Sequence, residues 1–111
     1  MPVVFVGIGN SDDKLSQRTW ALFQIDAKKA IRGSGGIIIG EWHSYPDSIF
    51  QNATFCVEVD PEHVDDLKAE IARLAGLYNQ DAIAWNEIRR TEFLGAQGPL
   101  LSSESWAGPT K

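Results

Sequence analysis

The sequence has few of the features that define several large protein classes. Its 111 residues contain one cysteine, Cys56, which excludes an intramolecular disulfide and favours a reducing cytoplasm. Its apolar runs, such as Ile37-Ile38-Ile39, are far shorter than the roughly 18 residues of a membrane span. Residues 1–7 contain no basic stretch followed by an apolar one, which predicts no signal peptide. We therefore expect a cytoplasmic protein that does not bind membranes.

Basic residues are also few, with ten lysines and arginines against fifteen aspartates and glutamates and a net charge of −5. The basic residues are scattered, whereas acidic residues cluster over residues 58–70. Proteins that bind duplex DNA usually present a basic face, so direct binding of duplex nucleic acid is disfavoured. The acidic cluster is typical of a solvated face, or of a surface that competes for a basic partner.

No specific cofactor or metal signature is present. Residues 7–13 begin with Gly-x-Gly but lack the third glycine, and two aspartates there would repel a phosphate. No pair of ligands has the spacing of a structural zinc site. A metal site formed by Glu41, His43, Cys56 and Glu58 is disfavoured, and His63 is predicted to lie far from them. We predict neither a metal nor a cofactor.

Apolar periodicity predicts the first half of the fold. Residues 3–8 predict a buried strand, with a loop over residues 10–15. Ser16 is a good helix N-cap, and the apolar residues after it recur at helical spacing up to the glycines at 33–36: Trp20, Phe23, Ala27, Ala30 and Ile31. Residues 37–43 and 53–59 predict two strands, and the loop at 44–52 is short enough for them to pair antiparallel.

The second half begins with the clearest local signal. Asp60 and Pro61 suit the N-cap and first position of a helix. One apolar face follows, made of Val64, Leu67, Ile71, Leu74 and Tyr78. Asn79 suits a left-handed C-cap. Residues 82–88 predict a fourth strand, and an extension of it toward Leu94 stays open.

The order strand, helix, strand, strand, helix, strand predicts an α+β fold. The expected arrangement is the ferredoxin-like βαββαβ sandwich, a four-stranded antiparallel sheet with two helices on one face. We predict a single domain over residues 1–94. Residues 95–111 contain Gly, Pro and Ser without periodicity and predict a tail. Leu100, Leu101 and Trp106 equally suit an arm that packs on the sheet or on a second subunit.

The other sheet face must be polar or covered by a partner. Alternation in the third strand places Thr54, Cys56 and Glu58 there, and pairing predicts that Glu41 and His43 join them. Two sets of fourth-strand residues could lie on this face, because a register slip of one residue exchanges them. One set is Trp85 and Glu87, and the other is Ala84, Asn86 and Ile88.

Two residues of this face, His43 and Cys56, each have a chemical and a structural interpretation. His43 with Glu41 or Glu58 would form an acid–base pair, or His43 is simply a hydrogen-bonded surface histidine. Cys56 as a nucleophile needs a nearby cation, and its mid-strand position favours a packing role instead.

Three segments resemble small uncharacterised proteins of bacteria, chiefly actinobacteria, and their phages. The segments are residues 6–12, residues 40–44, and residues 78–85 together with 91–94. This resemblance covers most of residues 3–94. It implies an intracellular accessory protein and transfers no functional residue.

Two functions follow as expectations. The first is a non-enzymatic binding protein, a homodimer that engages a protein partner, with inhibition of a host protein as its phage version. Aromatic and apolar side chains are common interface anchors, and the partner-binding candidates are Trp42, Tyr45, Ile49, Phe50, Trp85 and Trp106. The second is a small dimeric α+β-barrel enzyme in which His43 is the acid–base group, oriented by Glu41 or Glu58.

Overall fold

The structure, a computed structural model, describes residues 2–89, 92–96 and 98–102, with the backbone alone for Ser11 and residues 98–102. In chain order its elements are β1 (Val3–Gly9), α1 (Gln17–Gly33), β2 (Ile37–His43), β3 (Asn52–Glu58), α2 (Val64–Leu77), β4 (Ala84–Glu87), β5 (Glu92–Gly95) and β6 (Gly98–Ser102). Short 3-10 turns at Ser11–Asp13 and Pro61–His63 precede the two helices.

The first four strands form one antiparallel sheet in the order β2-β3-β1-β4. With the two helices this makes a compact α+β fold, which confirms the predicted fold class at that level. Strands β5 and β6 pair antiparallel with each other in a separate two-stranded sheet.

The core lies between the helices and one face of the sheet, here called the covered face. Every second residue of β1 and β3 points into it and is buried: Val4, Val6, Ile8, Ala53, Phe55 and Val57. The predicted stripes of both helices pack against these residues, including Phe23, Ile31, Leu67 and Leu74. Neither of the two helices in the described residues is long and apolar enough to cross a membrane.

The two helices begin differently. The Ser16 hydroxyl accepts the Thr19 N–H at 3.2 Å, which confirms the predicted cap of α1. Asp60 and Pro61 take the predicted N-cap and first positions, but in the 3-10 turn that precedes α2, and the Asp60 side chain makes no capping hydrogen bond. Its carbonyl instead accepts the His63 N–H at 2.9 Å, which closes a 3-10 turn, and α2 starts at Val64. Asn79 has φ 54°, the left-handed conformation predicted for it.

The fourth strand is shorter than predicted. It spans Ala84–Glu87, and Glu92–Gly95 is a separate strand rather than its extension. The β5–β6 hairpin crosses the predicted boundary at residue 94, because Gly98–Ser102 pairs back on β5. The prediction for Trp106 lies outside the described residues, and the assignment of residues 1–94 to one domain stays a prediction.

A β-bulge in β2 overturns the predicted placement of two site residues. Ile38 pairs with Val57, but Gly40 pairs with Cys56, so Ile39 is an extra residue in the ladder. The residues after the bulge therefore change faces. Glu41 pairs with Phe55 and His43 with Ala53, both on the covered face, and Trp42 pairs with Thr54 on the other, open face. The expectation that Glu41 and His43 lie on the open face is wrong.

Candidate functional site

Three loops meet at one end of the sheet. The Asn10 N–H donates to the Gln51 carbonyl at 2.9 Å, which ties the loop after β1 to the end of the β2–β3 loop. The Lys14 ammonium reaches the loop after α2, where it lies 3.4 Å from the Asn79 carbonyl and 3.5 Å from an Asp81 carboxylate oxygen. These contacts hold the loops together as one surface, here called the loop end.

A polar network beneath the loop end is almost completely buried, with Asn10 7% and Gln51 9% exposed. The Asn10 amide nitrogen donates to the Gln51 side-chain oxygen at 3.1 Å and to the Leu15 carbonyl at 3.0 Å, and the Leu15 N–H donates to the Asn10 side-chain oxygen at 2.9 Å. The side-chain amides of Gln51 and Gln17 form two further hydrogen bonds, in which each amide nitrogen donates to the other side chain's oxygen at 2.8 and 2.9 Å. Satisfied buried polar networks specify one arrangement, so this one anchors the base of the β2–β3 loop.

The loop above this anchor exposes its apolar side chains. Tyr45, Ile49 and Phe50 are 82%, 83% and 74% exposed. The backbone is nevertheless ordered, because the Ser48 N–H donates to the Tyr45 carbonyl at 2.9 Å and the Phe50 N–H donates to the Ser48 hydroxyl at 3.2 Å. The Asn52 amide donates to the Phe50 carbonyl at 2.7 Å. The loop thus holds two aromatic rings and an isoleucine toward solvent.

An open groove of about 690 Å³ runs beside this loop at the loop end. Gly7 and Gly9 form part of its floor, and Phe50 stands at its side. The described residues that line it include Asp12 and Asp81 but no lysine or arginine. The groove has room for an extended segment, and the Lys14 ammonium, 3.5 Å from Asp81, offsets one of its two acidic charges.

The Glu41 carboxylate lies between two basic side chains on the covered face. Its Oε2 lies 2.8 Å from His43 Nε2, and its Oε1 lies 3.1 Å from Lys28 Nζ. The hydrogen bond with His43 is the largest cause that holds the pKa of Glu41 below its ordinary value, and Lys28 adds to it against the opposing effect of burial. A cleft of about 310 Å³ lies beside His43 and is lined by Trp20 and Tyr45.

The two remaining catalytic candidates lie on the open face, away from His43. Cys56 is half-buried, and burial, followed by the charge of Glu58, raises the pKa of its thiol. A raised pKa disfavours the reactive thiolate. The sheet separates both residues from His43, so the structure brings together Glu41 and His43 but not the full predicted set. The observed pair favours Glu41 over Glu58 as the partner of His43.

The tryptophans lie on different surfaces. Trp42 is 57% exposed on the open face, at the edge strand β2. Trp85 pairs with Val6, which places it on the covered face, so Ala84 and Asn86 are the residues of β4 on the open face. The Trp85 indole N–H donates to Glu87 at 3.0 Å, and this bond is the largest cause of the lowered pKa of Glu87. Trp85 is thus half-buried on β4, the edge strand on the other side of the sheet from β2.

Sequence reasoning missed two features of the structure, one at the loop end and one at the other end of the sheet. Asn10 has the signal of a turn residue and Gln51 has none, so their burial follows only from the tertiary contact. The second feature is at the start of α2, where side-chain atoms of Asp60, Glu62 and His63 lie within 4.8 Å of one another. Acidic groups at a helix start are ordinary, because they offset the helix dipole.

No protein-family model matches the chain, and no curated protein matches it. Solved structures with a similar chain path include that of a REP-associated tyrosine transposase bound to a REP hairpin, at 18% sequence identity and a TM-score of 0.43. The match covers 81% of this chain and 58% of that chain, so the present chain spans less than two thirds of the transposase. A likeness at this level carries no argument about function.

Proposed function

We propose that the protein is a non-enzymatic binding module, a homodimer that engages a protein partner through residues 45–50. The observation that carries this proposal is the exposure of Tyr45, Ile49 and Phe50, at 74–83%, on a loop whose base is anchored by the buried Asn10–Gln51 contact. Aromatic side chains that project from such a surface are typical anchors of protein interfaces.

The anchored backbone supports binding for an energetic reason. A loop that must become ordered on binding loses conformational entropy, which weakens the complex. Here the hydrogen bonds of Ser48 and Asn52 already order the backbone before a partner arrives. The apolar surface that a partner would remove from water is therefore presented in advance.

Charge supports a basic partner. The net charge of −5 and the absence of lysine and arginine among the described residues of the groove favour a positively charged segment beside Phe50. A phage-type inhibitor of a host protein is one version of this function. The single cysteine supports a cytoplasmic site of action.

The finer fold assignment belongs to the same proposal. The order β2-β3-β1-β4, with a helix after β1 and another after β3, supports the ferredoxin-like arrangement for residues 3–87. The β5–β6 hairpin is then an addition to that arrangement.

The test is affinity capture from a lysate of the source cells. The double variant Ile49→Ala/Phe50→Ala should lose the captured protein. Its matched control is Leu22→Ala/Ile25→Ala, which removes two exposed apolar side chains from α1 instead and should retain it. Equal capture by both variants would exclude the loop as the binding surface.

The contact of Glu41 with His43 beside a cleft supports a second candidate, a small enzyme with His43 as acid–base group. In a dimeric barrel of facing sheets the reacting groups would lie on the open face, which carries Glu58 but not His43. Support for the barrel version is therefore weaker than for the binding module. Hydrolysis of a p-nitrophenyl ester that disappears in His43→Ala would favour the enzyme, and unchanged hydrolysis in that variant would exclude it.

A further inference from the structure

The outer edge of β2 is open to pairing. Within the described part of the chain, β2 ends the sheet and pairs with β3 alone. Its seven residues contain no proline or lysine, two residues that often protect an exposed edge, although Glu41 is charged and a bulge lies at Ile39. Ile37, Ile39 and Trp42 are exposed along it. Such an edge is a template for a further strand, and the question is which strand fits it.

The phase of the hydrogen bonds identifies the outward groups. The Ser44 N–H donates to the Asn52 carbonyl at 2.9 Å, so residue 44 faces β3. In an antiparallel ladder the residues alternate, so Trp42 also faces β3 with its backbone groups. The backbone N–H and C=O groups of Glu41 and His43 therefore point away from the sheet.

We propose that β2 pairs antiparallel with β2 of a second copy, with Trp42 on the two-fold axis. Glu41 then lies opposite His43 of the second copy, and His43 opposite Glu41 of the second copy. Gly40 lies opposite Ser44 of the second copy. The two sheets then become one sheet of eight strands. This inference identifies the contact surface of the proposed homodimer, and it rests on the homodimer part of the proposed function and not on the partner-binding loop.

The Glu41 carboxylates favour this register. The outward backbone groups also match in two neighbouring registers, in which Glu41 lies opposite itself or His43 lies opposite itself. Like charges directly opposite each other destabilise a pair of strands, which disfavours the register with Glu41 opposite itself. In the register with His43 opposite itself, Glu41 lies opposite Tyr45 and contacts no imidazole of the second copy. The register centred on Trp42 instead alternates carboxylate and imidazole, and it extends the Glu41–His43 contact of one chain into a cluster of four side chains. The two Lys28 ammonium groups, each 3.1 Å from a Glu41 carboxylate, flank this cluster.

Two further observations fit the same axis. Directly opposed residues that are not hydrogen-bonded to each other lie closest together, and Trp42 would occupy this position with its copy. The two indoles, each 57% exposed in the single chain, would cover one another on the open face. The bulge at Ile39 ends the ladder on one side, and by symmetry it does so on both, so that residues 40–44 form it.

The test is sedimentation velocity over a range of concentrations. The unchanged chain should sediment as a dimer, and Glu41→Lys should raise the dissociation constant of the dimer about tenfold or more, because it changes two symmetric pairs. The exchange Glu41→Lys/His43→Glu restores opposite charges and should restore the dimer. Glu62→Lys makes the same charge change at an exposed turn and should not affect it.

A backbone variant tests the ladder itself. Glu41→Pro removes an N–H that faces away from β3, so the chain should keep its fold, as circular dichroism would show, and become a monomer. A chain that is monomeric at all concentrations, or a dimer that persists in Glu41→Lys, would overturn the proposal. The loop is tested separately, because Ile49→Ala/Phe50→Ala should remain dimeric and a monomeric Glu41→Lys should still capture the partner.

Discussion

The side-chain amides of Asn10 and Gln51 lie 3.1 Å apart at the loop end of the sheet, although 41 residues separate them in sequence. Through this contact the loop after β1 supports the exposed loop between β2 and β3. The apolar surface at residues 45–50 thus depends on buried polar groups that do not belong to it.

Asn10→Ala should destabilise the fold by about 1 to 3 kcal/mol, because it leaves buried partners on Gln51 and Leu15 without their hydrogen bonds. Urea unfolding followed by circular dichroism measures this change. Asn86→Ala, at an exposed position of β4, is the control and should leave the midpoint almost unchanged. Equal midpoints for the two variants would show that the network does not stabilise the fold.

Ile49→Ala and Phe50→Ala should each change the free energy of unfolding by less than about 0.5 kcal/mol, since the native fold leaves both side chains in water. Phe55→Ala removes a fully buried ring and should cost roughly 3 to 5 kcal/mol. Urea unfolding compares the three variants. A large loss in either loop variant would mean that the loop packs against the core.

Stability should fall in acid partly through Glu41. The hydrogen bond with His43 keeps the pKa of its carboxyl below the ordinary value of 4.5. Because the folded pKa is lower than the unfolded one, this contribution is complete above about pH 4.5 and is lost as pH falls through the folded pKa. Glu41→Gln should therefore reduce the difference in stability between about pH 6 and about pH 3.

Urea unfolding at the two pH values measures that difference. Glu62→Gln, at an exposed turn, supplies the comparison and should retain the acid dependence of the unchanged chain. An identical acid dependence in the Glu41 variant would exclude this contribution.

Tyr78 should ionise late. Burial is the largest cause that raises the pKa of its hydroxyl to about 12, and the hydrogen bond to Asp26 adds to it. Since the folded pKa lies above the unfolded value of 10, the contribution to stability is complete below about pH 10 and is lost as pH rises toward 12. Absorbance titration of tyrosinate should show a step near 12 that Tyr78→Phe removes.

The same variant should lose roughly 1 to 2 kcal/mol of stability at neutral pH, because the Asp26 carboxylate loses a donor. Tyr45→Phe is its control, since that side chain is exposed at the loop. A titration step near 12 that survives in Tyr78→Phe would show that this step does not belong to Tyr78.

Cys56 should react slowly with a thiol reagent in the native protein. Burial raises the pKa of its thiol, and the carboxylate of Glu58 raises it further. The rate with 5,5′-dithiobis(2-nitrobenzoic acid) should rise on unfolding in urea, and it should rise moderately in the folded variant Glu58→Gln. A native rate equal to the unfolded rate would show that the thiol is freely accessible.

The sequence was sufficient for the succession of strands and helices up to α2, because apolar spacing and capping residues act locally. The Ser16 cap of α1 and the alternation of Phe55 and Val57 in β3 were readable for this reason. The same local signals located the Asp60 N-cap but did not predict the 3-10 turn before α2, and they made the fourth strand too long.

What only the tertiary structure decided is which side chains share a face. Pairing with β3 accommodates Ile39 as an extra residue, and this single bulge moves Glu41 and His43 to the covered face while Trp42 points to the open one. No residue pattern in β2 predicts this bulge, because its position depends on the pairing of β2 with β3 and not on β2 alone. The sequence by itself determined the elements up to α2 and the exposed character of residues 45–50. The tertiary contacts determined the Asn10–Gln51 anchor of that loop, the register of β2 against β3, and the position of β2 at the edge of the sheet.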